Sequence, residues 1–87
     1  MIALAQNEIL NYKSDEMLKN LGYKKISDDK YSIEYTKILD DDLFEINFWK
    51  EDKTISKNYY RDMGYITIKE LQAINKKCQE LGWLKED

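Results

Sequence analysis

Apolar residues change their spacing twice along this chain. Near the start, Ile9, Leu10, Met17, Leu18 and Leu21 recur at helical intervals. Ser14 followed by Asp15 and Glu16 reads as an N-cap with acids in the first turn, which predicts a short helix from Ser14 to Leu21. Gly22 is its stop, and Met1 to Tyr12 form either a separate helical turn or a preceding helix.

From Lys24 to Tyr60 the period falls to two. Tyr31, Ile33 and Tyr35 alternate with polar residues, as do Phe44, Ile46 and Phe48, and then Ile55 and Tyr59. Acidic turns separate these runs at Asp28-Asp29, Asp40-Asp41-Asp42 and Glu51-Asp52. A tip at Glu51-Asp52 sets Phe48 against Ile55 and Phe44 against Tyr59. A tip at Leu39-Asp40 sets Ile33 against Ile46 and Tyr35 against Phe44, and a first tip at Asp28-Asp29 sets Ile26 against Tyr31. All three registers place the apolar set on one face, as a half-buried sheet requires. Lys57 is the misfit on that face, expected at an edge where its amine can reach water.

Thr67 and Glu70 form a T-x-x-E capping box before a second helix. Its expected apolar stripe is Ile68, Leu71, Ile74, Cys78 and Leu81, closed by Gly82. Both helices end alike, as Leu21-Gly22-Tyr23 and Leu81-Gly82-Trp83, which a shared C-capping arrangement explains without an internal repeat. The predicted fold class is α+β: an antiparallel β-meander of three to four strands with N-terminal and C-terminal helices packed on one face, a two-layer sandwich forming a single domain over residues 1–87.

Composition narrows the chemistry. The 87 residues contain no histidine, no proline and one cysteine. Histidine-based catalysis and the usual zinc sites are therefore excluded. The lone Cys78 permits no internal disulfide and reads as a packed hydrophobe in a reducing compartment. Met1 to Lys13 lack the pattern of a signal peptide, and no apolar run approaches a membrane span, so a cytoplasmic location is expected. The three glycines, Gly22, Gly64 and Gly82, lie too far apart for a phosphate-binding loop. No catalytic residue, cofactor or metal ligand is assigned, and a non-enzymatic role is expected.

Net charge is -3, from 14 lysines and arginines against 17 acids, which disfavours a phosphate-gripping nucleic-acid binder. Tyr31, Tyr35 and Tyr59 fall on the expected buried face and so serve as core before they serve as stacking platforms. In a meander the first and third turns share one end, gathering Asp28, Asp29, Glu51 and Asp52 as a candidate docking surface for a basic partner. On the outer sheet face, Glu34 is expected directly across from Glu45, and Leu43 across from Tyr60, with Trp49 further along; these five complete the candidate partner-binding set. Glu51-Asp52-Lys53 with Asp42 upstream resembles the Asp…Glu-x-Lys signature of a nuclease superfamily, but it falls at a hairpin tip in a chain too short for that fold.

The segments Met17-Leu18-Lys19-Asn20-Leu21-Gly22-Tyr23, Ile66-Thr67-Ile68-Lys69-Glu70-Leu71 and Leu81-Gly82-Trp83-Leu84 resemble small uncharacterised proteins of phages and prophages in low-GC Gram-positive bacteria. The likeness spans most of the chain but rests on caps and core positions. It implies a mobile-element accessory protein and no catalytic residues. The expected function is a protein-interaction module that modulates a host protein, such as a defence or nucleic-acid enzyme, through an acidic surface. The alternatives are a self-associating scaffold, as a homodimer, and a weak nucleic-acid binder.

Overall fold

The computed structural model describes residues 13–59 and 65–84. Helix α1 (Ser14–Asn20) leads into strands β1 (Lys24–Asp28), β2 (Ser32–Leu39), β3 (Asp42–Trp49) and β4 (Thr54–Tyr59), followed by helix α2 (Ile68–Glu80). The strands form one antiparallel sheet in sequence order, so the α+β meander expected from the period change is the observed fold. The expectations for Met1 to Tyr12 and for Tyr60 lie outside the described residues.

Local signals set the helix ends. Thr67 and Glu70 make the full capping box, with the Thr67 hydroxyl accepting the Glu70 N–H and the Glu70 carboxylate accepting the Thr67 N–H. Past α1, Gly22 N–H reaches the Lys19 carbonyl and Tyr23 N–H the Leu18 carbonyl; past α2, Gly82 and Trp83 repeat this with Gln79 and Cys78. Both are Schellman closures, and Gly22 and Gly82 take the positive φ angles of 95° and 76° that such a closure needs.

The start of α1 differs from expectation. Its N-cap is Lys13, which makes no side-chain cap, and Ser14 is the first helical residue. The cap comes from the other helix: the Glu80 carboxylate accepts the Ser14 N–H at 2.8 Å and the Ser14 hydroxyl at 2.5 Å. A fully buried serine of α1 and a carboxylate of α2 thus join the two helices.

Register holds at one hairpin and moves at two. Phe48 opposes Ile55 and Phe44 opposes Tyr59, as predicted. Between β2 and β3 the tip is Asp40-Asp41, so Ile33 opposes Phe48 and Tyr35 opposes Ile46. Each partner slides by two, which preserves the face. The two aspartates occupy left-handed φ angles of 52° and 68°, the conformation a two-residue type I′ hairpin loop demands. The slide also removes the expected Glu34–Glu45 clash: Glu34 faces Asn47, and Glu45 faces Thr36.

Between β1 and β2 an irregularity lies between Lys25 and Ser27, and Ile26 is the extra residue. Ile26 and Tyr31 are consequently exposed rather than paired in the core. The core is Ile33, Tyr35, Ile46 and Phe48 from the sheet against Leu18, Tyr23, Ala73, Ile74 and Cys78. Helix α2 is rotated relative to its apolar stripe. It buries Glu70, Ala73, Ile74, Lys77 and Cys78, and leaves Ile68 and Leu71 70% and 51% exposed.

Candidate functional site

Two polar clusters hold α1 and α2 in place against the sheet. In the first, Glu70 accepts Lys57 Nζ at 2.7 Å and the Tyr23 hydroxyl at 2.5 Å. The Lys57 ammonium also donates to the Tyr65 carbonyl, so it does not escape to water as its edge position suggests; its side chain is only 7% exposed. Burial raises the Glu70 pKa, but the bonds from Lys57, Thr67 and Tyr23 outweigh it and hold the carboxyl at about 2. Burial and the adjacent carboxylate push the Tyr23 phenol up.

In the second, which joins four residues, Asp15 accepts the Tyr35 hydroxyl and Lys77 Nζ on one oxygen and pairs with Lys25 on the other at 2.9 Å. Burial again opposes ionisation, and hydrogen bonds from Tyr35, Lys25 and Lys77 win, leaving its pKa at about 2. No buried side-chain polar atom among the described residues lacks a partner.

Glu70 and Lys57 of the first cluster floor a cleft of about 360 Å³ that opens at the Asp40–Asp41 end of the sheet. Phe44 lines it, with its ring stacked on Tyr59 at a 4.5 Å centroid separation. Lys37 enters beside Phe44, its cross-strand partner, with the amine 5.0 Å from the Phe44 ring and 4.8 Å from the Tyr23 ring. The lip is apolar: Leu39, Tyr65 and Ile68 line the opening and are 55%, 64% and 70% exposed. Leu71 continues this lip one turn along α2. Lys69 borders the same opening. Among the described residues, no carboxylate lies within ion-pair distance of Lys37 or Lys69, whereas Lys57 is bound to Glu70.

Such a site can do one thing well. An apolar hollow about the size of a dozen waters accepts an aliphatic side chain, while two cations beside it accept a carboxylate. The open shape would leave much of a free small molecule in water but suits a side chain projecting from another surface. Glu70 and Lys57 are committed to each other. They position the floor and offer no free acid or base to a substrate.

The predicted partner-binding residues are distributed differently. The first and third turns do meet, through Lys50, whose N–H donates to the Tyr31 carbonyl and whose ammonium reaches Asp28 at 3.2 Å. Asp28 also faces Lys25, and Asp29 accepts the Tyr31 and Ser32 N–H groups, which lower its pKa. Glu51 and Asp52 are exposed at the third turn. Asp28 is thus ion-paired to both Lys25 and Lys50, whereas Glu51 and Asp52 have no ion-pair partner among the described residues.

On the outer face the polar groups satisfy one another. Ser27 donates to Glu34, Trp49 Nε1 donates to Ser56 Oγ at 3.0 Å, and Asn58 donates to Glu45. Leu43 and Glu45 border a smaller hollow, of about 260 Å³, with Asn58 and Tyr59. Among the described residues, no His, Cys, Asp and Glu cluster could hold a metal ion, and no helix is long and apolar enough to cross a membrane.

Lys37 and its neighbours were not singled out by the sequence reading. Their signal was present: Lys37 and Lys57 both occupy inward positions of strands, and an inward lysine needs either a buried partner or an aromatic face. Comparison with known proteins returned no match to a family model, a curated protein or a solved structure.

Proposed function

We propose that this chain is a protein-interaction module whose contact surface is the cleft end of the sheet. The observation that carries the reading is the exposed lip of Leu39, Tyr65 and Ile68 around a rigid floor that presents Lys37. The acid-lined opposite end supports it less, because Asp28 is already ion-paired to Lys25 and Lys50 and Asp29 is bonded to the Tyr31 and Ser32 N–H groups. The partner presents an aliphatic side chain next to a carboxylate: the first fills the cleft, and the second meets Lys37 and Lys69. A surface of that chemistry is what the cleft selects, whether it belongs to a host protein, as the resemblance to phage and prophage accessory proteins implies, or to another copy of this chain.

A displayed random-peptide library selected on the immobilised protein tests the reading. The expected result is enrichment of peptides that carry Leu or Ile beside Asp or Glu. Binding should be lost with Ile68→Ser, and the acidic preference alone should be lost with Lys37→Met. No enrichment, or binders indifferent to both substitutions, would overturn it.

A further inference from the structure

The chain carries on its own surface the kind of segment its cleft would take. The β2–β3 tip runs Ile38-Leu39-Asp40-Asp41-Asp42, aliphatic and then acidic. Ile38 and Leu39 are 74% and 55% exposed, and no core residue covers the tip. The two-residue loop with both aspartates at positive φ makes it a short, stiff projection rather than a floppy one. The tip and the cleft also lie at the same end of the molecule, since Leu39 belongs to both.

That coincidence matters for symmetry. A projection and a receptor at one end can engage their counterparts about a two-fold axis, so that each copy gives and receives the same contact. We infer that the occupant of the cleft is the β2–β3 tip of a second copy, forming a symmetric dimer closed by charge. In it, Leu39 of each copy lies against the other's cleft lip beside Ile68, and Asp40 and Asp41 of each face Lys37 and Lys69 of the other. The contact places acids on cations that have no carboxylate partner within the described part of their own chain. It also covers apolar side chains that a lone small domain leaves in water. The inference rests on reading the cleft end as a docking surface and commits that surface to a self-complementary partner.

The test is sedimentation velocity on the full chain from micromolar to near-millimolar concentration, at low and high salt. A monomer–dimer equilibrium that weakens with salt is expected. Asp40→Asn with Asp41→Gly keeps the favoured turn chemistry, and so the hairpin, while removing both charges; it should weaken the dimer at least about tenfold. Lys69→Glu, at an exposed helix position, should do the same without touching the core. Circular dichroism of both variants should match the parent, which separates lost association from lost folding.

A parent that stays monomeric throughout, or a dimer unaffected by either change, overturns the inference. A monomer that still selects aliphatic-acidic peptides from the library would refute only the second copy as occupant. A dimer sensitive to the tip, with no peptide selected, would instead refute the broader partner-binding reading.

Discussion

Replacing Lys57 by Met isolates the buried ion pair beneath the cleft. The substitution keeps most of the side chain's length and removes its charge, so Glu70 is left 4% exposed at its side chain with no cation beside it. Breaking a buried pair from one side costs roughly 3–5 kcal/mol. Glu70 would keep the Thr67 N–H and the Tyr23 hydroxyl, which favours the low end, about 3 kcal/mol. A domain of this length is stable by roughly 4–13 kcal/mol, so the variant should remain mostly folded but lose about 12–24 °C in Tm. Glu70→Gln should cost less, because its amide oxygen can still accept from Lys57 and the Thr67 N–H while the opposing charge is gone. The double variant leaves no uncompensated charge and should fall well short of the sum, with a coupling of about 2 kcal/mol. Urea titration read by tryptophan emission gives all four corners of the cycle, since the Trp83 ring lies 6.4 Å from Phe48 in the core. A Lys57→Met cost below about 1 kcal/mol, or a coupling near zero, would mean that the pair is solvated and the floor is not fixed as described.

Two further outcomes follow from the other contacts. Asp15 and Glu70 have folded pKa values of about 2 against ordinary values of 3.8 and 4.5, so both carboxylates release protons more readily in the folded state. Their contribution is complete above about pH 5 and is lost as pH falls toward 2, so urea midpoints should decline across that window; a flat profile would refute the assignment. Ser14→Ala removes one of the two Glu80 contacts and should cost about 1 kcal/mol in urea titration, while Glu80→Ala should cost more because it uncaps α1 entirely. If Ser14→Ala remained equally costly in a Glu80→Ala background, the bridge between the helices would be excluded.

Features encoded by neighbouring residues were the ones legible in advance. The T-x-x-E box and both Leu-Gly-aromatic closures appear as read, because each is made within six residues and needs no tertiary partner. The β3–β4 register was readable because Phe48, Ile55, Phe44 and Tyr59 admit one in-face pairing around Glu51-Asp52. The β2–β3 pairing was displaced by two because tips at Leu39-Asp40 and at Asp40-Asp41 both keep the apolar set on one face, and alternation alone does not choose between them. Ile26 and Tyr31 were misplaced because a bulge leaves no mark in an alternating pattern.

The cleft was hidden for a different reason. Hydrophobicity alone turns α2 toward Ile68 and Leu71, but Glu70 finds buried partners in Lys57 and Tyr23, and Lys77 meets buried Tyr35 and the more exposed Asp15. Those contacts join residues 13 to 62 positions apart, such as Lys57 with Glu70 and Asp15 with Lys77, and no local pattern ties them together. They rotate the helix, and rotation is what brings Ile68 to the lip and Glu70 to the floor.

The sequence by itself determined the elements, their order, the α2 capping box, both C-terminal closures and the face of the sheet that is buried, because periodicity and these caps act over a few residues. Only the tertiary structure decided which acids are offset by lysines, which lysines stay available and where apolar surface is left in water. Those properties depend on the summed desolvation and pairing of charges brought together from distant parts of the chain, and the docking surface is built from them.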